Sequence, residues 1–267
     1  MRLCKELLTM KEFADFIKND IPEKNCVHLY FMGQAGFILK DADGFLLAYD
    51  LYLSDCCNRE FGFKRLMPYL LDAEELIFDA VLCSHGHYDH LDIDSAGTFL
   101  KNGKTQMYVT KCGREELAKR SLISDQVHLI KEGDHLQLGN HFTCDFVYCD
   151  HGSDTPNAVG TVFTIGKIRL YAVGDTAYRD VLIHEKTVGA DIVILPINGA
   201  FGNLNEAEGA FFAKNLNAGV AIPSHFWNFA EHGGNPYLFM QEADKLNVNY
   251  RLMRQGECLK IDMEKLQ

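Results

Sequence analysis

The sequence predicts a single α/β domain, and three observations support that prediction. The 267 residues suffice for one large domain, and no linker-like or low-complexity stretch divides them. Short apolar runs typical of strands alternate with amphipathic stretches of helical spacing. Several apolar runs end in histidine or aspartate, as in a sheet that delivers polar side chains to one edge. We therefore treat residues 1–267 as one domain.

Composition and charge narrow the class of protein. A hydrophobic fraction of 47% and a charged fraction of 24% are ordinary for a globular chain. No stretch is long and apolar enough for a membrane span, and charges interrupt residues 1–6, so we expect neither a membrane protein nor a secretory leader. The formal charge of −11 disfavours nucleic acids, whose binding depends on phosphate neutralisation, but it permits a small phosphorylated substrate.

The nine cysteines indicate a compartment. They are scattered, odd in number, and without Cys-x-x-Cys spacing. Such usage suits reduced thiols better than a disulfide framework or a zinc finger. The sequence therefore predicts a cytoplasmic protein.

A helix and a β-meander are predicted for the first fifty residues. Thr9 and Glu12 form a capping-box pattern ahead of apolar residues at helical spacing, so residues 10–19 are predicted to be a helix. We expect this N-terminal helix, within residues 1–20, to pack on the domain. Short strands separated by glycine-containing turns follow at 27–31, 37–40 and 45–49.

Asp50 follows the third of these strands. Its carboxylate either orients a metal-bound histidine or forms a turn, and both interpretations stay open. Residues 51–75 are irregular and rich in aromatic side chains. We interpret them as a loop near the mouth of a site, with packing and solvated charge as the alternative.

The stretch 84–92 is the most informative part of the sequence. It holds three imidazoles and two carboxylates directly after the apolar run 79–83. Side chains alternate along an extended chain, so His85 and His87 point to the same side and can hold one divalent ion. Asp89 and His90 fall in the turn before a predicted helix over 93–101 and can reach a second ion. The stretch predicts half of a two-metal site, the alternatives being a solvated loop or one structural ion.

Alternating elements are predicted for the remainder of the chain. The predicted strands are 106–110, 127–130, 142–149, 160–165, 168–173, 190–197 and 219–223, and the predicted helices are 114–120 and 206–215. Three further polar residues follow strands of this set: His151, Asp175 and His225. Each alone is ordinary, and Asp175 could cap a helix. Together with the stretch 84–92 they complete the ligand count of a two-metal site.

In this order, these residues resemble the metallo-β-lactamase superfamily. The matching positions are Asp50, His85-x-His87-x-Asp89-His90, His151, Gly174-Asp175-Thr176 and His225. The resemblance implies a four-layer αββα sandwich. It also implies two metal ions. His85, His87 and His151 would bind the first ion, and Asp89, His90 and His225 would bind the second. Asp175 would bridge both.

Within the superfamily, the chain is most similar to the branch that contains L-ascorbate-6-phosphate lactonase. The segments that carry this similarity are 30–37, 71–82, 158–160 and 174–178. The chain departs from that lactonase in being shorter, in its His151-Gly-Ser loop and in the segment 198–203. These departures concern the substrate and not the metal site.

The ligands predict hydrolysis, with Asp89, His90 and Asp175 at its centre. Two ions about 3.5–4 Å apart can share a water and direct the resulting hydroxide at a lactone or similar ester-like bond of a small molecule, phosphorylated or not. The donors include no thiolate, so zinc, manganese and iron are all compatible, and the resemblance favours manganese.

Other functions and contacts stay open at this point. A phosphodiesterase or nuclease of the same fold, and a non-catalytic metal-binding protein, are the alternatives. Arg179, Asn198 and His232 are candidates for the mouth of the site, although a surface position is the simpler account of His232. The oligomeric state, a homo-oligomer included, is not predicted.

Overall fold

Two β-sheets pack face to face and helices cover their outer faces in the computed structural model, which describes residues 9–264. The four-layer αββα sandwich implied by the resemblance is thereby confirmed. The part of the predicted N-terminal segment that covers residues 1–8 lies outside the described residues.

The helices and strands have the following bounds. The helices are α1 (Met10–Asn19), α2 (Cys56–Phe61), α3 (Ile93–Lys101), α4 (Lys111–Lys119), α5 (Glu206–Asn215) and α6 (Pro236–Leu246). The strands of the first half are β1 (Cys26–Gly33), β2 (Gly36–Asp41), β3 (Leu46–Tyr49), β4 (Ala80–Cys83), β5 (Gln106–Val109), β6 (Val127–Leu129) and β7 (His135–Leu138). Those of the second half are β8 (Phe142–Tyr148), β9 (Val159–Ile165), β10 (Ile168–Ala172), β11 (Ile192–Pro196), β12 (Val220–Ser224) and β13 (Cys258–Asp262).

Each sheet combines antiparallel and parallel pairs. The first has the order β13-β1-β2-β3-β4-β5-β6, and the strands from β3 to β6 run parallel. The second has the order β12-β11-β10-β9-β8-β7, with β10, β11 and β12 parallel. Parallel strands run in the same direction, so their carboxyl ends lie at the same edge of the sheet. The polar residues that follow these strands therefore come together at that edge.

Side-chain alternation along the strands builds three apolar layers. In β1, Leu29 faces the core between the sheets, whereas its neighbour Tyr30 faces the layer beneath α1. On the other side, Phe212 of α5 and Phe239 of α6 pack against the outer face of the second sheet. Both faces of the sheets are therefore buried, which explains why the central strands β3, β4, β11 and β12 are nearly continuous apolar runs.

The structure confirms most predicted elements and corrects several. The capping box at Thr9 and Glu12 is present, and α1, α3 and α5 have the predicted bounds. The interpretation of 51–75 as entirely irregular is wrong, because α2 lies within it. The helix predicted over 114–120 begins three residues earlier, at Lys111. The elements β7, β13 and α6 were not predicted.

The helices in the described part of the chain are all shorter than a membrane-spanning helix. The longest, α6, has 11 residues and carries charged side chains. None of them has the length and apolarity needed to cross a bilayer.

Candidate metal centre

The predicted site residues meet at one edge of the sandwich. The strands β3, β4, β8, β10 and β12 are followed within three residues by Asp50, His85, His151, Asp175 and His225, respectively. All five of these side chains are buried. Rigid strands therefore fix the positions of groups that come from distant parts of the chain.

A first set of ring nitrogens surrounds a common point. His87 Nδ1 lies 3.0 Å from His85 Nε2 and 3.1 Å from His151 Nε2. A neutral imidazole has one donor and one acceptor, so three nitrogens that face each other cannot all be paired. Ligand atoms around a tetrahedral zinc ion are separated by about 3.3 Å. The three histidines therefore fit a divalent cation.

A second set lies beside the first. His225 Nε2 is 3.3 Å from His90 Nε2 and 3.2 Å from Asp89 Oδ2, while His90 Nε2 is 3.7 Å from the same carboxylate oxygen. Two imidazole nitrogens and one carboxylate oxygen suit zinc, manganese or iron.

The carboxylate of Asp175 lies between the two sets. Its Oδ2 is 3.7 Å from His151 Nε2 in the first set and 3.1 Å from His225 Nε2 in the second. Its Oδ1 is 3.3 Å from His90 Nε2, yet this buried oxygen has no hydrogen-bond partner among the residues that the structure describes. A buried carboxylate oxygen without a partner is costly, and a cation at this point would satisfy it.

The two sets differ in their electrostatics. Burial lowers the pKa of His85 well below its ordinary value and also lowers the pKa values of His87 and His151, so the first set is neutral. Burial opposes protonation in the second set as well, but the carboxylates of Asp175 and Asp89 outweigh it. They raise the pKa of His90 well above its ordinary value and that of His225 to about 9.

The same interactions act on the carboxylates in the opposite sense. Burial favours the neutral acids, yet the neighbouring imidazolium groups hold the pKa values of Asp89 and Asp175 well below their usual range. In the metal-free protein, protons on His90 and His225 therefore balance two buried carboxylates. A divalent cation would displace those protons.

Asp50 orients His90. Its Oδ2 accepts a hydrogen bond from His90 Nδ1 at 2.8 Å, and both oxygens are held by Ser84, through the backbone N–H at 2.7 Å and the hydroxyl at 2.6 Å. The ring therefore donates from Nδ1 and presents Nε2 to the other site residues. Of the two interpretations of Asp50, the structure favours the orienting role.

Two polar residues at the site were not recognised from the sequence. Gln34 donates from Nε2 to Asp89 Oδ2 at 2.8 Å, and its backbone carbonyl accepts from the His225 backbone N–H at 2.7 Å. Asn203 donates to Asp175 Oδ2 at 2.7 Å. Gln34 lies in a segment that carried the resemblance and Asn203 in one that departs from it, but only the fold shows that their amides reach the acidic residues.

The loop 84–92 requires close backbone packing at Gly86. A Cβ atom placed there would lie 2.9 Å from the carbonyl carbon of Cys112. Glycine therefore lets the loop pass against the start of α4 between His85 and His87.

A cavity of about 460 Å³ opens onto these residues. The predicted loop 51–75 does lie at its mouth, since Cys57, Phe61 and Phe63 are part of the lining. His232 also lines the cavity, where its ring stacks on that of His225 at 5.3 Å, so a plain surface position for it is wrong. Burial lowers the pKa of His232 to about 4, which leaves the ring neutral at neutral pH.

Arg179 and Asn198 are placed differently from the expectation. Arg179 is exposed and pairs with Asp150 at 2.6 Å, while Asn198 is buried two residues after the end of β11. Within residues 9–264, neither is among the side chains that line the cavity.

Comparisons with known proteins agree with the fold and identify the family. The family model of the beta-lactamase superfamily domain matches residues 52–226. The chain is 26% identical over 206 residues to a UPF0173 metal-dependent hydrolase of Listeria innocua, and the alignment covers 72% of this chain and 86% of that protein. A UPF0173 metal-dependent hydrolase of Carboxydothermus hydrogenoformans is 24% identical and covers 86% and 97%. The structure of a metallo hydrolase from Ignicoccus hospitalis superposes with a TM-score of 0.68 at 20% identity, covering 88% and 98%.

Proposed function

This chain belongs to the beta-lactamase superfamily and is a metal-dependent hydrolase of the metallo-β-lactamase fold, and from this premise we propose that it opens a lactone or a similar ester-like bond of a small molecule. One observation supports the proposal above all others. Two sets of three ligand atoms converge on the single carboxylate of Asp175 at one end of a cavity.

In this proposal the two sets hold two divalent ions. His85, His87 and His151 would hold the first, Asp89, His90 and His225 would hold the second, and the carboxylate of Asp175, which lies between the sets, would serve both. Zinc, manganese and iron all suit these ligands. When bound, such ions would supply Lewis acidity, which lowers the pKa of a water and polarises a carbonyl group.

The protein's own residues keep this arrangement ready. Asn203 and Gln34 each donate to a carboxylate oxygen, so they fix the rotamers of Asp175 and Asp89. Asp50 keeps the proton of His90 on Nδ1, away from the site. Because these donors and acceptors are buried and in place beforehand, little reorganisation is needed during the reaction.

The fine assignments are part of the same proposal. We place the substrate in the lactone class because of the similarity to the lactonase branch. A cytoplasmic location is supported by the cysteines of residues 9–264, all of which are free thiols.

The test is a measurement of bound metal and of proton release. The full chain is loaded with zinc or manganese, and lactones including L-ascorbate 6-phosphate are added in weak buffer. We expect proton release that stops on chelation, and about two ions bound per chain.

Two matched variants control this test. The His87→Ala substitution should remove metal and activity, whereas His135→Ala changes an exposed histidine that pairs with Asp145 and should leave both intact. Stoichiometric metal without hydrolysis of any lactone, ester or phosphodiester would instead support a non-catalytic metal-binding protein.

A further inference from the structure

We propose that the cavity selects an uncharged substrate that carries an aromatic or alicyclic group beside the lactone or ester bond. This inference rests on the proposed hydrolysis and narrows its substrate class. It departs from the expectation that the substrate could be phosphorylated.

The wall of the cavity is a continuous row of aromatic rings. Tyr88 and Phe61 are 5.3 Å apart between ring centroids, Phe61 and Phe63 are 5.9 Å apart, and Phe63 and Phe201 are 5.7 Å apart. The ring of His232 extends the row, 5.0 Å from that of Phe201. Separations of this size are those of favourable ring contacts, so the wall offers an apolar face to a flat or cyclic group.

Two of these rings are exposed to solvent. Phe61 is 55% exposed and Phe201 is 59% exposed, although both line the cavity. Large apolar side chains that are exposed together at a cavity mouth are typical of ligand-binding surfaces. A bound apolar group would remove these two rings from water, and the hydrophobic free energy of that burial would favour binding.

The charges on the wall oppose an anionic substrate. No lysine or arginine is among the cavity-lining residues of the part of the chain that the structure describes, whereas Asp154 is exposed in the lining. Arg120 lies beneath the wall, but its guanidinium already pairs with Glu116 and bonds the Tyr88 hydroxyl at 2.9 Å. A phosphate remote from the reacting bond would therefore be desolvated without a cationic partner.

The reaction on such a substrate needs only water. Addition of water to the carbonyl carbon forms one C–O bond, and the bond from that carbon to the ring or ester oxygen breaks. The leaving oxygen takes a proton, and the product acid releases one. A lactone thus becomes a hydroxycarboxylate and a proton, with no redox partner.

A matched pair of lactones tests the inference. Dihydrocoumarin is neutral and aromatic, and its ring-carboxylated derivative differs by one negative charge. With the metal-loaded full chain, we expect kcat/KM for the neutral lactone to exceed that for the carboxylated one at least tenfold. An equal or higher kcat/KM for the carboxylated lactone would overturn the inference while leaving the proposed hydrolysis intact.

Three variants test the wall itself. Phe61→Ala should lower kcat/KM for dihydrocoumarin roughly 3- to 10-fold, the range expected for the loss of one ring contact. Phe61→Lys should shift the preference toward the carboxylated lactone. Phe211→Ala removes an exposed phenylalanine of α5 that contacts Tyr178, and it is the matched control that should change neither rate.

A binding measurement separates this inference from the proposed function. The lactam analogue of dihydrocoumarin and its carboxylated form are titrated into the metal-loaded chain by calorimetry. Tighter binding of the neutral lactam supports the inference even if no lactone is hydrolysed, in which case the proposed function alone fails. Equal or tighter binding of the carboxylated lactam contradicts the inference.

Discussion

The substitution Asp50→Asn isolates the contribution of one buried carboxylate to the metal centre. The change keeps the shape of the side chain, and asparagine tolerates the positive φ of 47° at this position. Asp50 accepts three hydrogen bonds, one from His90 Nδ1 and two from Ser84. An amide has only one accepting oxygen, so its NH₂ group must face a donor in either orientation.

Each orientation of the amide has its own consequence. If the NH₂ group faces the Ser84 backbone N–H, a buried hydrogen bond is lost, at about 1–3 kcal/mol of unfolding free energy. If it faces His90 instead, the ring must move its proton to Nε2, the nitrogen that points at Asp175. Either way we expect metal affinity to fall about 10- to 100-fold.

The measurement is competition for zinc against a chromophoric chelator at fixed pH, together with urea unfolding of the metal-free protein. Asp41→Asn is the matched control, because Asp41 is also buried and accepts backbone hydrogen bonds from Asp43 and Phe45, but it lies at the end of β2. It should lower stability and leave metal affinity unchanged. If Asp50→Asn bound zinc within twofold of the unaltered protein, the orienting role would be refuted.

Further predictions concern the ligands, the pH dependence and the N-terminal helix. Asp175→Ala should abolish turnover and lower the bound metal, measured by elemental analysis, while circular dichroism stays unchanged; full turnover would contradict the bridging role. Since the pKa of His225 is raised to about 9, its protonation stabilises the metal-free fold below pH 6.5, and that contribution is lost as the pH rises through about 9. Zinc must displace this proton and the one on His90, so its apparent affinity should rise about a hundredfold per pH unit up to that pKa, which titrations between pH 6.5 and 9 will measure. Lys40→Met should lower the unfolding free energy, measured in urea, by roughly 2–3 kcal/mol without changing the amount of bound metal. The reason is that the ammonium group of Lys40 donates to the carbonyls of residues 17, 18 and 20 at the end of α1. An unchanged urea midpoint would contradict this role of the ammonium group.

Much of the fold followed from local patterns. The capping box predicted α1, apolar runs predicted most of the central strands, and helical spacing predicted α5. Among the missed elements, α6 does have a local signal, the N-cap Asn235 followed by Pro236, whereas the two missed strands lack one. Both β7 and β13 are sheet-edge strands with alternating polar residues, and each is stabilised by its pairing with β8 or β1.

The site divides in the same way. The ligands were predictable because a cation requires a few residue types at close spacing, and the stretch from His85 to His90 supplies four of them within one loop. Their supporting contacts carry no comparable pattern. Gln34 and His225 are 191 positions apart in the chain but in contact in the fold. A glutamine in a sequence gives no sign that its side chain belongs to a metal site.

The character of the cavity was decided by the tertiary structure alone. Phe61 and Phe63 belong to a segment that the sequence marked only as aromatic-rich, and Phe201 lies in the opposite half of the chain. Packing of the two sheets brings these rings side by side and leaves Phe61 and Phe201 exposed at the mouth. Four of the seven proposed metal ligands are thus recognisable from short-range spacing, and the other three from the strands that they follow. Substrate choice depends on surfaces that form only when distant segments meet.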